Sequence, residues 1–205
     1  MKILFYGDSI TDASRGEKGL GTGYVIQTAG RLFEKNPEKY EVINKGISGN
    51  RIVDLYARIK KDVWNEAPDV LSILVGINDI WHELDFNNGV DLERFIKVYR
   101  MLIEDTIKSL PNTKIILCEP FVLHGTATNE QFDKFNEIRD YASKIKMLAD
   151  EFGLYFLPLQ AEFDKAYEKY GEGVMVPDGV HPNVKGSVLI ANEWIKLFNE
   201  IEKDV

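Results

Sequence analysis

Val70–Val75 is an apolar run broken only by Ser72. So short a run suits a β-strand, and apolar side chains at successive positions need cover on both faces of a sheet. That need narrows the fold more than anything else in the chain, because a sheet covered on both faces requires layers of helix above and below it. Short runs of the same kind recur at Ile3–Tyr6, Tyr40–Asn44, Lys114–Cys118 and Leu154–Leu157. Between them the apolar residues change to a helical period. Tyr24/Val25, Thr28/Ala29 and Leu32/Phe33 share one helix face, and Ile52, Leu55/Tyr56, Ile59 and Val63 share another. Longer helices are expected over Asp91–Leu110, stopped by Pro111, and over Asn129–Phe152, ended by Gly153. A shorter helix covers Ala161–Tyr170, and the last runs from Lys185 to Ile201. Repeated strand-then-helix units predict a parallel sheet inside a three-layer αβα sandwich. No repeat, low-complexity tract or linker divides the chain, so residues 1–205 are expected to form one domain.

In such sheets ligands bind at the carboxyl ends of the strands, near the point where strand order reverses. The loops leaving the strands should then hold the unusual residues. Gly7-Asp8-Ser9 follows the first strand, Asn44–Asn50 the second and Gly76-Ile77-Asn78-Asp79 the third. After the fifth strand and its short helix comes Pro177-Asp178-Gly179-Val180-His181-Pro182.

Taken alone, Ser9 reads as a helix N-cap, its hydroxyl accepting an amide proton and Asp12 standing in a capping-box-like position. Thr11 occupies the place of the second glycine in a Gly-x-Ser-x-Gly elbow, which argues against an ordinary α/β-hydrolase. A nucleophilic serine needs a base that titrates near neutrality, and the histidines are His82, His124 and His181. His181 is best placed, because Asp178 could orient its ring from the same tight turn. The same residues would also serve as a plain turn leading into the last helix. Gly49 offers an unobstructed backbone amide and Asn78 a side-chain NH₂, which with the Ser9 amide would receive an oxyanion. Gly49 could instead supply a positive φ, and Asn78-Asp79 a helix cap. Gathered on one edge of one sheet, the five residues point to acyl transfer through serine.

The blocks "GDSIT", "NKGISGN", "GIND" and "DGVHP" resemble, in order, the signature blocks of the SGNH or GDSL-type esterases. They span Gly7 to Pro182, most of the chain. The resemblance implies a flavodoxin-like αβα fold with a five-stranded parallel sheet. It also implies Ser9 as nucleophile, Gly49 and Asn78 completing the oxyanion hole, and His181 with Asp178 completing the triad. The runs "GDSITD", "LGTGYV", "VINKGISGNRIVDL" and "LVGINDIWHEL" are similar, more narrowly, to intracellular acetylxylan esterases, which remove O-acetyl groups from xylo-oligosaccharides. Those relatives are expected to carry a tryptophan just before the triad aspartate, where Pro177 stands here.

Trp81 and His82 follow the Asn78 loop, and Phe121 and His124 follow the fourth strand. With Asp8 they are candidates for substrate binding, since aromatic faces suit the apolar faces of pyranose rings. Core or interface packing for Trp81, and surface or core roles for His82 and His124, are the alternatives. Asp8, Asp12, Asp79 and His82 lack any diagnostic metal-ligand spacing, and the chemistry needs no metal or organic cofactor. A formal charge of −8 argues against nucleic acid or an anionic membrane as partner. An uncharged small-molecule or oligosaccharide ester fits better, and a homo-oligomer is left open. Cys118 is the single cysteine and is expected to be a core thiol in a reducing compartment. No secretory hydrophobic region follows Lys2, so a cytoplasmic location is expected unless a leader was removed. Two rival functions remain at this level: hydrolysis of acyl thioesters or lysophospholipids, and a flavodoxin-like module that binds phosphate or flavin.

Overall fold

The computed structural model describes residues 1–16 and 19–204. Five strands, β1 (Lys2–Gly7), β2 (Glu41–Gly46), β3 (Val70–Leu74), β4 (Lys114–Cys118) and β5 (Tyr155–Leu157), form one sheet in the order β2-β1-β3-β4-β5. Every neighbouring pair is parallel. The helices are α1 (Ser9–Asp12), α2 (Tyr24–Lys35), α3 (Ile52–Ile59), α4 (Ile77–Phe86), α5 (Leu92–Ser109), α6 (Phe132–Phe135), α7 (Ile138–Phe152), α8 (Gln160–Tyr170) and α9 (Val184–Ile201). Helices cover both sides of the sheet, with α2 packed on α9 and α5 packed on both α3 and α7. Among the described residues no helix is long and apolar enough to cross a membrane.

All five residues of β3 are buried, as a central strand covered on both faces must be. Its one polar residue is satisfied there: Trp194 Nε1 donates to Ser72 Oγ at 3.0 Å, and Cys118 Sγ lies 3.4 Å from the same oxygen. Trp194 is fully buried and leans on Phe5 and Phe198, tying α9 to the sheet. From β1 the chain steps to β2 on one side and to β3 on the other. The order therefore reverses beside β1, and Ser9 and Asn78 leave the sheet on either side of that crevice.

Three elements differ from the expectation. Gly76–Asp79, read as a loop, is the entry to α4, with Gly76 as N-cap at φ 145° and Asn78 in the first turn. The single helix expected over Asn129–Phe152 is broken into a short 3₁₀ turn, α6 and α7. Its apolar period continues across the break, but the backbone tightens: Glu137 N–H donates to Lys134 O and Arg139 N–H to Asn136 O, three residues back rather than four. The helical spacing of Ile52 to Val63 is real, yet α3 ends at Ile59 and widens into one π turn over Lys60–Trp64.

Candidate active site

Gly7 ends β1 and the chain turns at once into α1. The N-cap of this helix is Asp8, whose carboxylate accepts from Ile10 N–H at 3.0 Å. The capping task expected of Ser9 is thus done by its neighbour, and Asp12, rather than closing a capping box, accepts from Ser48 Oγ at 2.7 Å. Ser9 Oγ is left to face His181 Nε2 at 2.8 Å. His181 Nδ1 lies 2.6 Å from Asp178 Oδ2. The other carboxylate oxygen, Oδ1, accepts from the backbone N–H of Val180 at 2.9 Å and of His181 at 2.7 Å. This closed turn needs glycine at its centre. Gly179 has φ 92°, and a Cβ there would stand 2.2 Å from Thr128 Oγ1.

The charges follow from these contacts. The hydrogen bond to Asp178, and then its negative charge, raise the His181 pKa above its ordinary value, against the opposing effect of burial. Burial also pushes Asp178 up, but the hydrogen bonds from His181 and from two backbone amides outweigh it and leave the carboxyl below its usual range. Asp8 is different. It is 1% exposed, and burial pushes its carboxyl up to about 7. Asp79, equally buried, accepts twice from Ile52 N–H and is likewise held well above the carboxylate range by burial.

Gly49, at φ 79°, and Asn78 flank Ser9 in a cleft of about 330 Å³ whose wall continues through Trp81, His82, Asp85 and Phe86 to His181. Neither Ser9 N–H nor Gly49 N–H donates to another described residue. Asn78 Nδ2 donates to Asn50 O at 3.1 Å, which fixes the amide plane. Three donors are therefore grouped beside one hydroxyl. A second hollow of about 470 Å³ opens on the far side of Ser9, walled by Ala13, Ser14, Thr22 and Val184. A roomier one, about 530 Å³ between α4, α5 and α7, holds none of Ser9, Asp178 and His181.

Arg58, in α3, supports the site although no motif marks it in the sequence. Its guanidinium donates to Asn50 Oδ1 at 2.7 Å, Lys45 O at 2.9 Å and Gly7 O at 3.1 Å, while pairing with Asp62 at 2.7 Å. It also lies over the Tyr6 ring. An arginine in a helix carries no sequence signal for this, since two of its targets are backbone carbonyls at the carboxyl ends of two different strands.

Trp81 and His82 reach the cleft, and Trp81 sits between His181 and the buried Phe135, with ring centroids 5.9 Å and 5.4 Å away. The other three residues considered for substrate binding do not. Asp8 is sealed beneath Ser9 by its capping bond. Phe121 is fully buried and stacked on Phe163. His124 stacks on Phe132, 3.6 Å between centroids, in a separate hollow with Tyr167. The physical reason lies in the loop after β4, which braces the Asp178 turn instead of lining the cleft: Leu123 N–H donates to Gly179 O and Ala127 N–H to Asp178 O. Asp8, Asp12, Asp79 and His82 do not converge, because the first three carboxylates are committed to Ile10, Ser48 and Ile52. Among the described residues no group of three or more ligand-type side chains could hold a metal ion.

A family described as GDSL-like lipase/acylhydrolase matches residues 5–189. The chain is 35% identical to an acetylxylan esterase of Geobacillus stearothermophilus, across 95% of its own length and 92% of that enzyme. A crystal structure of that esterase, Axe2, superposes with a TM-score of 0.86, covering 96% of this chain and 93% of that one. A protein of Parabacteroides merdae described as a GDSL-like lipase superposes at 0.89 with 38% identity, covering 96% and 94%. Three solved Axe2 variants described as catalytic mutants carry alanine in place of a serine, an aspartate and a histidine. The latter two stand three positions apart, as Asp178 and His181 do here. A further variant replaces a tryptophan directly before that aspartate, whereas Pro177 precedes Asp178.

Proposed function

Because the chain belongs to the GDSL-like lipase/acylhydrolase family, we propose that it removes O-acetyl groups from acetylated carbohydrates such as xylo-oligosaccharides, through Ser9, His181 and Asp178. Membership makes it a carboxylic ester hydrolase, and that sets aside the reading as a flavin-binding module. One observation carries the mechanism: the unbroken line from Ser9 Oγ through His181 to Asp178, at 2.8 and 2.6 Å.

Ser9 Oγ attacks the ester carbonyl while His181 Nε2 takes its proton, and Asp178 holds the ring in the tautomer that leaves Nε2 free to accept. Negative charge gathers on the carbonyl oxygen against the amides of Ser9 and Gly49 and the NH₂ of Asn78. The sugar alkoxide leaves with the proton from His181, and acetyl-serine remains. Water then attacks by the same route and frees acetate. Saccharide as the alcohol is supported by the acetylxylan esterases among the relatives and by the aromatic wall of the cleft.

The test is acetate release from a panel of acetylated xylo-oligosaccharides, p-nitrophenyl esters from acetyl to decanoyl, and acyl thioesters, with Ser9→Ala beside the parent. Acetyl esters of sugars should lead the panel, and Ser9→Ala should lose roughly five to six decades of rate. A variant that cleaves p-nitrophenyl acetate at the parent rate would remove Ser9 from the mechanism. A preference for decanoyl esters or thioesters would remove the saccharide.

A further inference from the structure

Along α4 the residues Asn78, Trp81 with His82, and Asp85 recur at the spacing of three and four that stacks side chains on one helix face. All four, together with Phe86, wall the cleft that holds Ser9. The outer end of this face is unusual in two ways. Phe86 is 66% exposed at the cleft mouth, and its ring partner is His82, edge-on at 5.5 Å. Beside it the Asp85 carboxylate makes no hydrogen bond or ion pair with any described residue.

An exposed ring next to an uncommitted carboxylate matches a pyranose, which presents C–H groups on one face and hydroxyl donors around its edge. It does not match a long acyl chain, since covering Asp85 with methylenes would strip water from a charge and return no hydrogen bond. Burial and the nearby Arg51 hold His82 below the ordinary imidazole range, so its neutral ring can both donate and accept.

We propose that this face of α4 is the saccharide subsite, with Phe86 and Trp81 receiving the ring that carries the scissile ester and Asp85 with His82 binding its hydroxyls. The subsite rests on the ester hydrolysis proposed above and adds which residues choose the alcohol. The carbonyl oxygen of a sugar ester held there would lie among the amides of Ser9, Gly49 and Asn78, at the inner end of the same cleft.

The experiment compares kcat/KM for acetylated xylobiose with kcat/KM for p-nitrophenyl acetate in the parent, Phe86→Ala, Phe86→Leu, Phe86→Trp and Asp85→Ala. Phe86→Ala, Phe86→Leu and Asp85→Ala should each lower the ratio about threefold to tenfold, chiefly through KM for the sugar ester. Phe86→Trp should keep or raise it, because the requirement is for an aromatic face and not for apolar bulk. Phe86 and Asp85 are exposed, so these variants should fold. An unchanged ratio in the alanine variants, or a loss confined to longer acyl esters, overturns the subsite while leaving the esterase intact. A parent that cleaves p-nitrophenyl acetate but no acetylated saccharide overturns the substrate reading first, and this subsite with it.

Discussion

Arg58 Nε donates to Asn50 Oδ1 at 2.7 Å, and the carbonyl of Asn50 accepts from Asn78 Nδ2 at 3.1 Å. The same guanidinium holds Gly7 O and Lys45 O. The carboxyl ends of β1 and β2 and the loop after β2 are thus joined through one side chain, and that loop in turn holds Asn78 at the start of α4, although Arg58 is absent from the cleft wall. Arg58→Lys keeps the charge and loses the fork. It should lower kcat by about ten- to a hundredfold, since sub-ångström misplacement of donors is felt mainly where charge develops. KM should move much less. For Arg58→Ala, millimolar guanidinium ion should restore part of kcat. A Lys variant with parental kcat would show that the loops hold their donors without it.

The raised His181 pKa has a definite sign in catalysis. The base must be neutral, so kcat/KM should rise with pH along a limb whose midpoint lies above the ordinary imidazole value of 6.5. Asp178→Asn removes the hydrogen bond and charge that cause the shift. Its limb should move down, and its rate should fall by roughly four decades through loss of the useful tautomer. A profile of p-nitrophenyl acetate hydrolysis from about pH 5 to pH 9 checks both. A parental limb at or below the ordinary value would show that the contact with Asp178 does not raise the base's pKa.

Asp8 links stability to pH in the opposite sense from a salt-bridged carboxylate. Its pKa rises from the ordinary 3.8 to about 7 on folding, so the folded chain holds a proton that the unfolded chain releases in that window. The stabilisation is complete below the unfolded value and declines as pH climbs through about 7. Asp8→Asn keeps an acceptor for Ile10 N–H and cannot ionise. Its Tm relative to the parent should improve by at least about 2–4 °C between pH 5 and pH 8, the effect of roughly 1 kcal/mol at this chain length. Equal differences at both pH values would mean that Asp8 ionises freely.

Gly49 has room for a methyl group, since the nearest atom to a Cβ would be His82 Nε2 at 3.8 Å, but its φ of 79° disfavours one. Gly49→Ala should cost about 1–2 kcal/mol of stability, from the left-handed conformation. Relaxation of that angle would reorient the amide that the proposed mechanism uses as a donor. Activity should therefore fall further than stability, by about two to three decades if the donor is lost. Calorimetry paired with initial rates separates the two effects. A stable variant with parental kcat would remove Gly49 from the oxyanion site.

Much of the site was readable because its signals are local. Asp178 and His181 lie three residues apart on one turn, and Ser9 follows a strand that ends in Gly7. Such short spacings survive in a linear chain. The α4 helix was harder to see, since the face bearing Asn78, Trp81, His82 and Asp85 looks into a cleft and leaves a weak apolar period. The break before α7 left that period intact, because tightening a turn from four residues to three moves no apolar residue off its face.

Phe121 and His124 failed as cleft residues for a different reason. They follow β4 on the correct edge, yet their loop spends its amides on the Asp178 turn and buries Phe121 against Phe163. Strand runs, helical periods and turn residues are properties of neighbours along the chain, and from them came the layered parallel sheet and the edge on which chemistry should sit. Which groups meet across that edge is decided by packing. The 172 positions between Ser9 and His181, and the carbonyls gathered by Arg58, become short distances only once the sheet has brought its loops together.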